Sequence, residues 1–244
     1  MISTVLMDID GTVCVGPNMI EGAKTAVDWI REKNLRIIFF TNDSSRSRSQ
    51  IAERLQTAGL DCTTEDIMSS GYMASNYVMS NNLDGIFISG TEGLKQEFKE
   101  NGVATVEPED ASTLVIGMDP DFNYAKMKDA VNVAINAKTI IACNNEKVFK
   151  CSNNFLCPGC GAMVSSISFC SSRTPDIFIG KPNPYMIEYV LSKYNLSSNE
   201  TLIVGDTYES DIAMANKIGS NSVLVNSKSG IDIKDLPKAI KKYV

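Results

Sequence analysis

The chain of 244 residues contains no histidine. That absence removes Ser-His-Asp and Cys-His nucleophilic arrangements, His-ligated zinc and imidazole acid–base chemistry. Any catalysis must draw on carboxylates, lysine, tyrosine, cysteine or a metal-bound water. Positive charge is also in short supply: 23 Lys and Arg stand against 29 Asp and Glu, a net charge of −6. A nucleic-acid polymer is therefore not an expected partner, because phosphate backbones need clustered basic residues. Long apolar runs are missing too. Stretches such as Ile37 to Phe40 fall far short of the ~20 residues that span a bilayer, so no membrane partner is expected. The opening residues have no basic segment and reach an acid at Asp8, unlike a signal peptide. The seven cysteines are odd in number, which argues for reduced thiols and a cytoplasmic setting. What is present is ordinary globular composition, 43% hydrophobic and 21% charged, enough for one large domain or two modest ones.

Apolar runs and helical stripes alternate along the chain. Ser3 to Met7 reads as a buried strand running into the polar turn Asp8-Ile9-Asp10-Gly11-Thr12. Ala23, Ala26, Val27 and Ile30 share a helix face that Asn34 can close in the left-handed region. Leu35 to Phe40 is a second buried strand ending in Thr41-Asn42, and a helix from Ser47 stops at Gly59. The same grammar returns late in the chain. A helix spans 184–194, a strand 201–204 ends in Gly205-Asp206, a helix spans 210–218, and another strand spans 222–225. The lysine-bearing tail from Lys234 reads as a short amphipathic helix. Between these halves lies a separate βα set, with strands at 85–89, 113–117 and 139–143 and helices at 91–101, 123–137 and about 161–170. The expected architecture is α/β: a Rossmann-like parallel-sheet core with helices on both faces, and an inserted α/β cap domain. The core is expected at 1–78 and 179–244, and the insert at 79–178.

Four loops at one sheet edge carry chemistry. Asp8 and Asp10, two residues apart at a strand end, leave the strand on the same side, and ligands of open α/β sheets bind at that edge. Two such carboxylates repel unless a cation lies between them or one is protonated. An Asx turn on Gly11 also accounts for the spacing. Thr41 and Asn42 offer a hydroxyl and backbone N–H groups to an anionic oxygen, or simply a cap or turn. Lys181, in Gly180-Lys181-Pro182-Asn183-Pro184, sits in a loop stiffened by proline and can balance a phosphate or carboxylate. Asp206 follows a buried strand, and Asp211 lies near a helix start, where it could also complement the helix dipole. Carboxylates in such a set suit a hard cation with oxygen ligands, Mg²⁺ above all.

Taken in order, strand-DxDGT, strand-TN, GKPNP and strand-GDxxxSD resemble the haloacid dehalogenase superfamily over nearly the whole chain. Asn42 to Arg48, Asp121 to Tyr124 and Pro158 to Ala162 resemble its subfamily IIA branch of NagD-like, phosphoglycolate, pyridoxal and p-nitrophenyl phosphatases. The resemblance implies a Mg²⁺-dependent phosphatase of small phosphorylated metabolites. Asp8 would be the nucleophile, forming an aspartyl-phosphate, and Asp10 the general acid/base. Gly11, Thr41, Asn42, Asp43 and Lys181 would hold the phosphoryl group. Mg²⁺ would be held by the Asp8 carboxylate, the Asp10 backbone carbonyl and Asp206, with Asp211 as ligand or support. It also implies a possible homodimer through the cap. An anionic nucleophile meeting an anionic phosphate needs such neutralisation, and an Asp nucleophile suits a chain without histidine.

Three departures stand out. Asp43 occupies a position where the branch usually has Asn, adding a negative charge. Ser210 replaces the usual Thr before Asp211. Cys143-Asn144-Asn145-Glu146 replaces the more usual Thr-Asn-x-Asp. A phosphomutase on the same motifs, or a non-catalytic binding protein of this fold, are the alternative readings. Cys157 and Cys160, with Cys151 and Cys170, could also be read as a zinc knuckle, although such sites usually show two close cysteine pairs.

Overall fold

The computed structural model describes residues 1–150 and 155–243. In chain order, β1 is Thr4–Met7, β2 Cys14–Val15, β3 Asn18–Met19, α1 Ala23–Glu32, β4 Arg36–Thr41, α2 Arg48–Thr57, β5 Ile67–Ser69 and α3 Ser70–Ser80. There follow β6 Ile86–Ser89, α4 Glu92–Glu100, β7 Thr113–Ile116, α5 Tyr124–Asn136, β8 Thr139–Ala142, β9 Val148–Lys150, β10 Leu156–Pro158 and α6 Cys160–Ser171. The chain closes with β11 Ile177–Phe178, α7 Tyr185–Tyr194, β12 Thr201–Gly205, a π turn at Tyr208–Ile212, α8 Ala213–Ile218, β13 Asn221–Leu224 and α9 Leu236–Ile240.

Two compact units divide the chain. Met1–Thr41, Ile51–Met68 and Lys181–Val244 form the first, and Asn42–Gln50 with Ser69–Gly180 form the second. The first holds a five-stranded sheet in the order β13-β12-β1-β4-β5, and β1 pairs in parallel with both β12 and β4. Every residue of β1 and β12 is buried. Because successive side chains point to opposite faces, the sheet is covered on both. Val5, Met7, Phe39, Leu202 and Val204 pack with Ala26, Val27 and Ile30 of α1 in one core. The left-handed Asn34 (φ 57°) follows that helix, as its sequence predicts. The second unit repeats the design on a smaller scale, with a four-stranded parallel sheet ordered β11-β8-β7-β6. Its core joins Leu114, Ile116 and Ile140 to Ala130 and Val133 of α5 and Val164 and Ile167 of α6. Both units are α/β with parallel sheets, as the alternation of strand and helix predicts.

Structure and sequence differ at the short strands β2, β3, β9, β10 and β11, which the apolar pattern does not announce, and at four further places. The stretch 67–80 carries β5 and α3, neither of which the apolar pattern announces. α3 buries Tyr72, Met73, Ala74 and Val78 but also Ser70, Gly71 and Ser75, so no polar face marks the helical period. The segment around Asp211 begins as a π turn before α8 rather than as a regular helix. The tail helix is confined to Leu236–Ile240, entered through a 3-10 turn at Ile233–Asp235. Finally, Cys14, Cys62, Cys143, Cys160 and Cys170 are free thiols, but Cys157 is disulfide-bonded. The expectation of uniformly reduced cysteines therefore fails at Cys157, and a bonded sulfur cannot serve as a zinc thiolate. Cys151 lies outside the described residues.

Candidate active site

The order β12-β1-β4 sets three strand ends side by side. Met7 of β1 registers with Val204 of β12 and Phe39 of β4. The next residues along these strands are therefore neighbours at one edge. Asp8 N donates to Val204 O (2.8 Å), which extends the ladder and fixes where its side chain leaves the sheet. Thr41 ends β4 and is 2% exposed. Asp206 follows β12 directly.

Lys181 is the hub. It is 4% exposed, and its Nζ donates to Asp8 Oδ1 and Asp211 Oδ1, both at 2.6 Å, and to the Phe40 carbonyl at 3.2 Å. Burial opposes a charged ammonium, yet Asp211 and Asp8 together raise the Lys181 pKa, so it stays protonated. Around this one cation stand three acids. Oxygens of Asp8, Asp206 and Asp211 lie within 4.8 Å of one another, the one such acidic group among the described residues. Burial is the largest influence on Asp8 and, with the charges of Asp211 and Asp206, raises its pKa well above the usual carboxylate range despite Lys181. Burial and Asp211 likewise raise Asp206. A buried excess of negative charge over positive is costly unless a further cation neutralises it.

Glycines let the backbone pack directly against these carboxylates. A Cβ on Gly11 (φ 91°) would overlap the Asp206 carboxylate, and one on Gly205 would overlap the Asp211 carboxylate. The donor set is all oxygen and all anionic, which fits Mg²⁺ and does not suit a soft thiophilic metal. Asp211 is also held by Thr207 N, which donates to its Oδ2 at 3.2 Å. The π turn makes this possible by turning Asp211 back towards β12.

Asp10 stands apart from the acid cluster. Its carboxylate is half-exposed and pairs with Arg54 of α2 at 2.5 Å. Asn42 and Asp43 belong to the second unit. There Asn42 Nδ2 donates to Glu146 Oε1 (2.8 Å), and the Asn42 carbonyl accepts from Asn144 Nδ2 (2.8 Å) and Ser70 Oγ (2.7 Å). Asp43 Oδ1 accepts from the backbone and hydroxyl of Ser45, both at 2.7 Å, and Oδ2 pairs with Arg46 at 2.8 Å. The charge that Asp43 adds is therefore matched at once by a neighbouring guanidinium.

Two contributors, Arg54 and Asn226, escape the motif reading, and Glu146 enters it only within the departure at Cys143-Asn144-Asn145-Glu146. Arg54 reaches Asp10, and Glu146 anchors Asn42. Asn226 Nδ2 donates to the carbonyls of Gly11 and Thr12, both at 3.0 Å, and so shapes the loop that carries Asp10. Asn226 could have been found: it follows an apolar strand, like Asp8, Asn42 and Asp206. Arg54 carries no comparable signal, since a helix arginine is ordinarily solvated.

Known proteins are similar to the chain over most of its length. The family described as haloacid dehalogenase-like hydrolase matches residues 5–104, and a second haloacid dehalogenase-type hydrolase family matches residues 178–240. The chain belongs to the haloacid dehalogenase-like hydrolases. It falls with that superfamily's NagD-like and p-nitrophenyl phosphatase branch and is an enzyme of the phosphatase class. An acid sugar phosphatase of Staphylococcus aureus is 29% identical over 223 residues, 91% of this chain and 85% of the relative. Among solved structures, a p-nitrophenyl phosphatase from Archaeoglobus fulgidus superposes with a TM-score of 0.87 at 27% identity, covering 99% of this chain and 92% of that one. A glycerol phosphate phosphatase from Mycobacterium tuberculosis, solved in complex with magnesium, gives a TM-score of 0.82 at 26% identity, covering 94% and 68%. Among the described residues, no helix of this haloacid dehalogenase-like hydrolase is long and apolar enough to cross a membrane.

Proposed function

We propose that this hydrolase is a Mg²⁺-dependent phosphatase that cleaves small phosphate monoesters through a covalent phosphate on Asp8. The observation that carries the reading is the Lys181 bridge. One buried ammonium holds Asp8 and Asp211 at 2.6 Å each, inside a group of three acids whose oxygens lie within 4.8 Å of one another. Asp8, Asp206 and the Asp10 backbone carbonyl would hold Mg²⁺, with Asp211 as ligand or support. When bound, the ion would offset the charge that gathers where two anions meet.

The chain's own residues divide the remaining work. Asp8 supplies the attacking carboxylate oxygen. A new O–P bond forms on Asp8 as the bond from phosphorus to the leaving oxygen breaks. Asp10 gives that oxygen its proton, so the product departs as a neutral alcohol. Water then attacks the phosphorus of the Asp8 ester. Asp10 takes the water proton, inorganic phosphate leaves, and the Asp8 carboxylate is restored. Lys181, Thr41 and the loop at Gly11 orient the phosphoryl oxygens. The relatives named for sugar phosphates and glycerol phosphate favour a small polyol phosphate as the substrate. The net charge of −6 supports the same choice over polyanions.

The test is hydrolysis of p-nitrophenyl phosphate with and without Mg²⁺, in the wild type and in Asp8→Asn, followed by a panel of sugar, glycerol and nucleoside phosphates. Turnover should require Mg²⁺ and fall by about 10³-fold or more in a folded Asp8→Asn, as for loss of a covalent nucleophile. Undiminished turnover in that variant would sink the mechanism.

A further inference from the structure

We propose that Arg54 is a positioning residue for proton transfer, fixing the Asp10 carboxylate by tying it to the β2–β3 hairpin. This inference rests on the role given to Asp10 above. Asp10 is the exposed member of the site: its side chain is 51% accessible, whereas Asp8 and Lys181 are buried. A carboxylate so open to solvent has several rotamers at similar cost, yet proton delivery requires one of them, because a group misplaced by an ångström loses much of its effect.

Arg54 removes that freedom. Its Nη2 donates to Asp10 Oδ1, and its Nε donates to the Gly16 carbonyl at 3.1 Å. Gly16 lies at the tip of the hairpin formed by β2 and β3, in the left-handed region (φ 57°). One planar guanidinium thus grips both ends of the segment 10–16. The planar fork loses less entropy per bond than a lysine would. The guanidinium itself is held steady, since the Arg54 side chain is only 15% accessible and the neighbouring Ile51, Ala52 and Leu55 bury the inner face of α2. The pair engages Oδ1 of Asp10, and the role given to Asp10 assigns the proton to its other oxygen.

The prediction concerns the leaving group. p-Nitrophenolate departs with little help, while an alkoxide needs its proton. Arg54→Ala should lower kcat for glycerol 1-phosphate by about tenfold or more, part of the 10²–10⁴ that general acid catalysis supplies. It should lower kcat for p-nitrophenyl phosphate by less than about threefold, and KM for both should stay within about twofold. Arg54→Lys, which keeps the charge but loses the fork, should recover part of the glycerol 1-phosphate rate. Equal losses on both substrates, or no loss on glycerol 1-phosphate, would overturn the proposal and leave Arg54 as a hairpin brace. If Arg54→Ala does not fold, Arg54→Gln reads the same split. The wild type is the control for the underlying mechanism: Mg²⁺-dependent turnover of both substrates must be present there, and its absence would count against the phosphatase reading rather than against Arg54.

Discussion

Each of the two units buries a cation against carboxylate, and the two clusters are built differently. In the second unit Arg48 meets a single acid. Its Nε donates to Glu97 Oε1 at 2.8 Å, Nη2 donates to Asn101, and the guanidinium lies 3.6 Å from the centre of the Tyr72 ring. Glu97 is fully buried and also accepts from Asn101 Nδ2 at 2.8 Å. Charge and hydrogen bonds balance there. In the first unit Lys181 meets Asp8 and Asp211 with Asp206 close by, and negative charge is left over. Both clusters sit in α/β units with parallel sheets, so the architecture does not distinguish them. The imbalance does. A balanced buried pair is complete as it stands, while an unbalanced one is a place prepared for something else.

Breaking each cluster at its cation tests that contrast. Lys181→Met should remove an electrostatic anchor of the reacting phosphoryl group and lower kcat by about 10²–10³-fold, read with p-nitrophenyl phosphate at saturating Mg²⁺. Retained turnover would make Lys181 a structural residue like Arg48. Arg48→Met should instead act on folding. Leaving Glu97 buried without its partner costs about 3–5 kcal/mol, visible as a lower urea midpoint, while kcat of the folded protein stays within about threefold. A stable Arg48→Met with lost activity would reverse the assignment.

The smallest expected effect is the one that sharpens the comparison most. Mg²⁺ at about a hundredfold excess over its Kd should stabilise the protein by about 2.7 kcal/mol, or roughly 5–10 °C in Tm for a chain of this size. The gain should vanish in Asp206→Asn. Its pH dependence follows from the sign of the shifts. Burial and like charges raise Asp8 and Asp206 in the metal-free fold. Stability from groups raised in this way is present at low pH and is lost as pH climbs from the ordinary carboxylate range through the raised one. Mg²⁺ competes with those protons, so its stabilising effect should grow over the same interval. An equal Tm gain in acid and at neutral pH would argue that Mg²⁺ binds elsewhere.

Much of the core site is legible in the chain because each key residue follows a run of buried apolar residues. Asp8 after β1, Thr41 at the end of β4 and Asp206 after β12 all announce themselves by position. Lys181 and Asp211 are harder, since the bridge between them spans 30 residues and depends on the π turn. The pairings of Arg54 with Asp10 and of Asn42 with Glu146 span 44 and 104 residues, and only the fold brings them together. α3 is hidden for the opposite reason: helical periodicity needs a polar face, and a helix with buried serines and glycine on its inner turns shows none.

One consequence concerns how the molecule looks to an arriving anion. With Arg46 held 2.8 Å from Asp43, the extra carboxylate forms half of a dipole rather than a lone monopole. The potential of a dipole falls with the square of distance, and surrounding salt screens it further within about 10 Å. Aspartate in place of the more usual asparagine thus accepts hydrogen bonds from Ser45 and cancels the long-range field of Arg46, so an arriving anion meets a near-neutral pair rather than a free guanidinium.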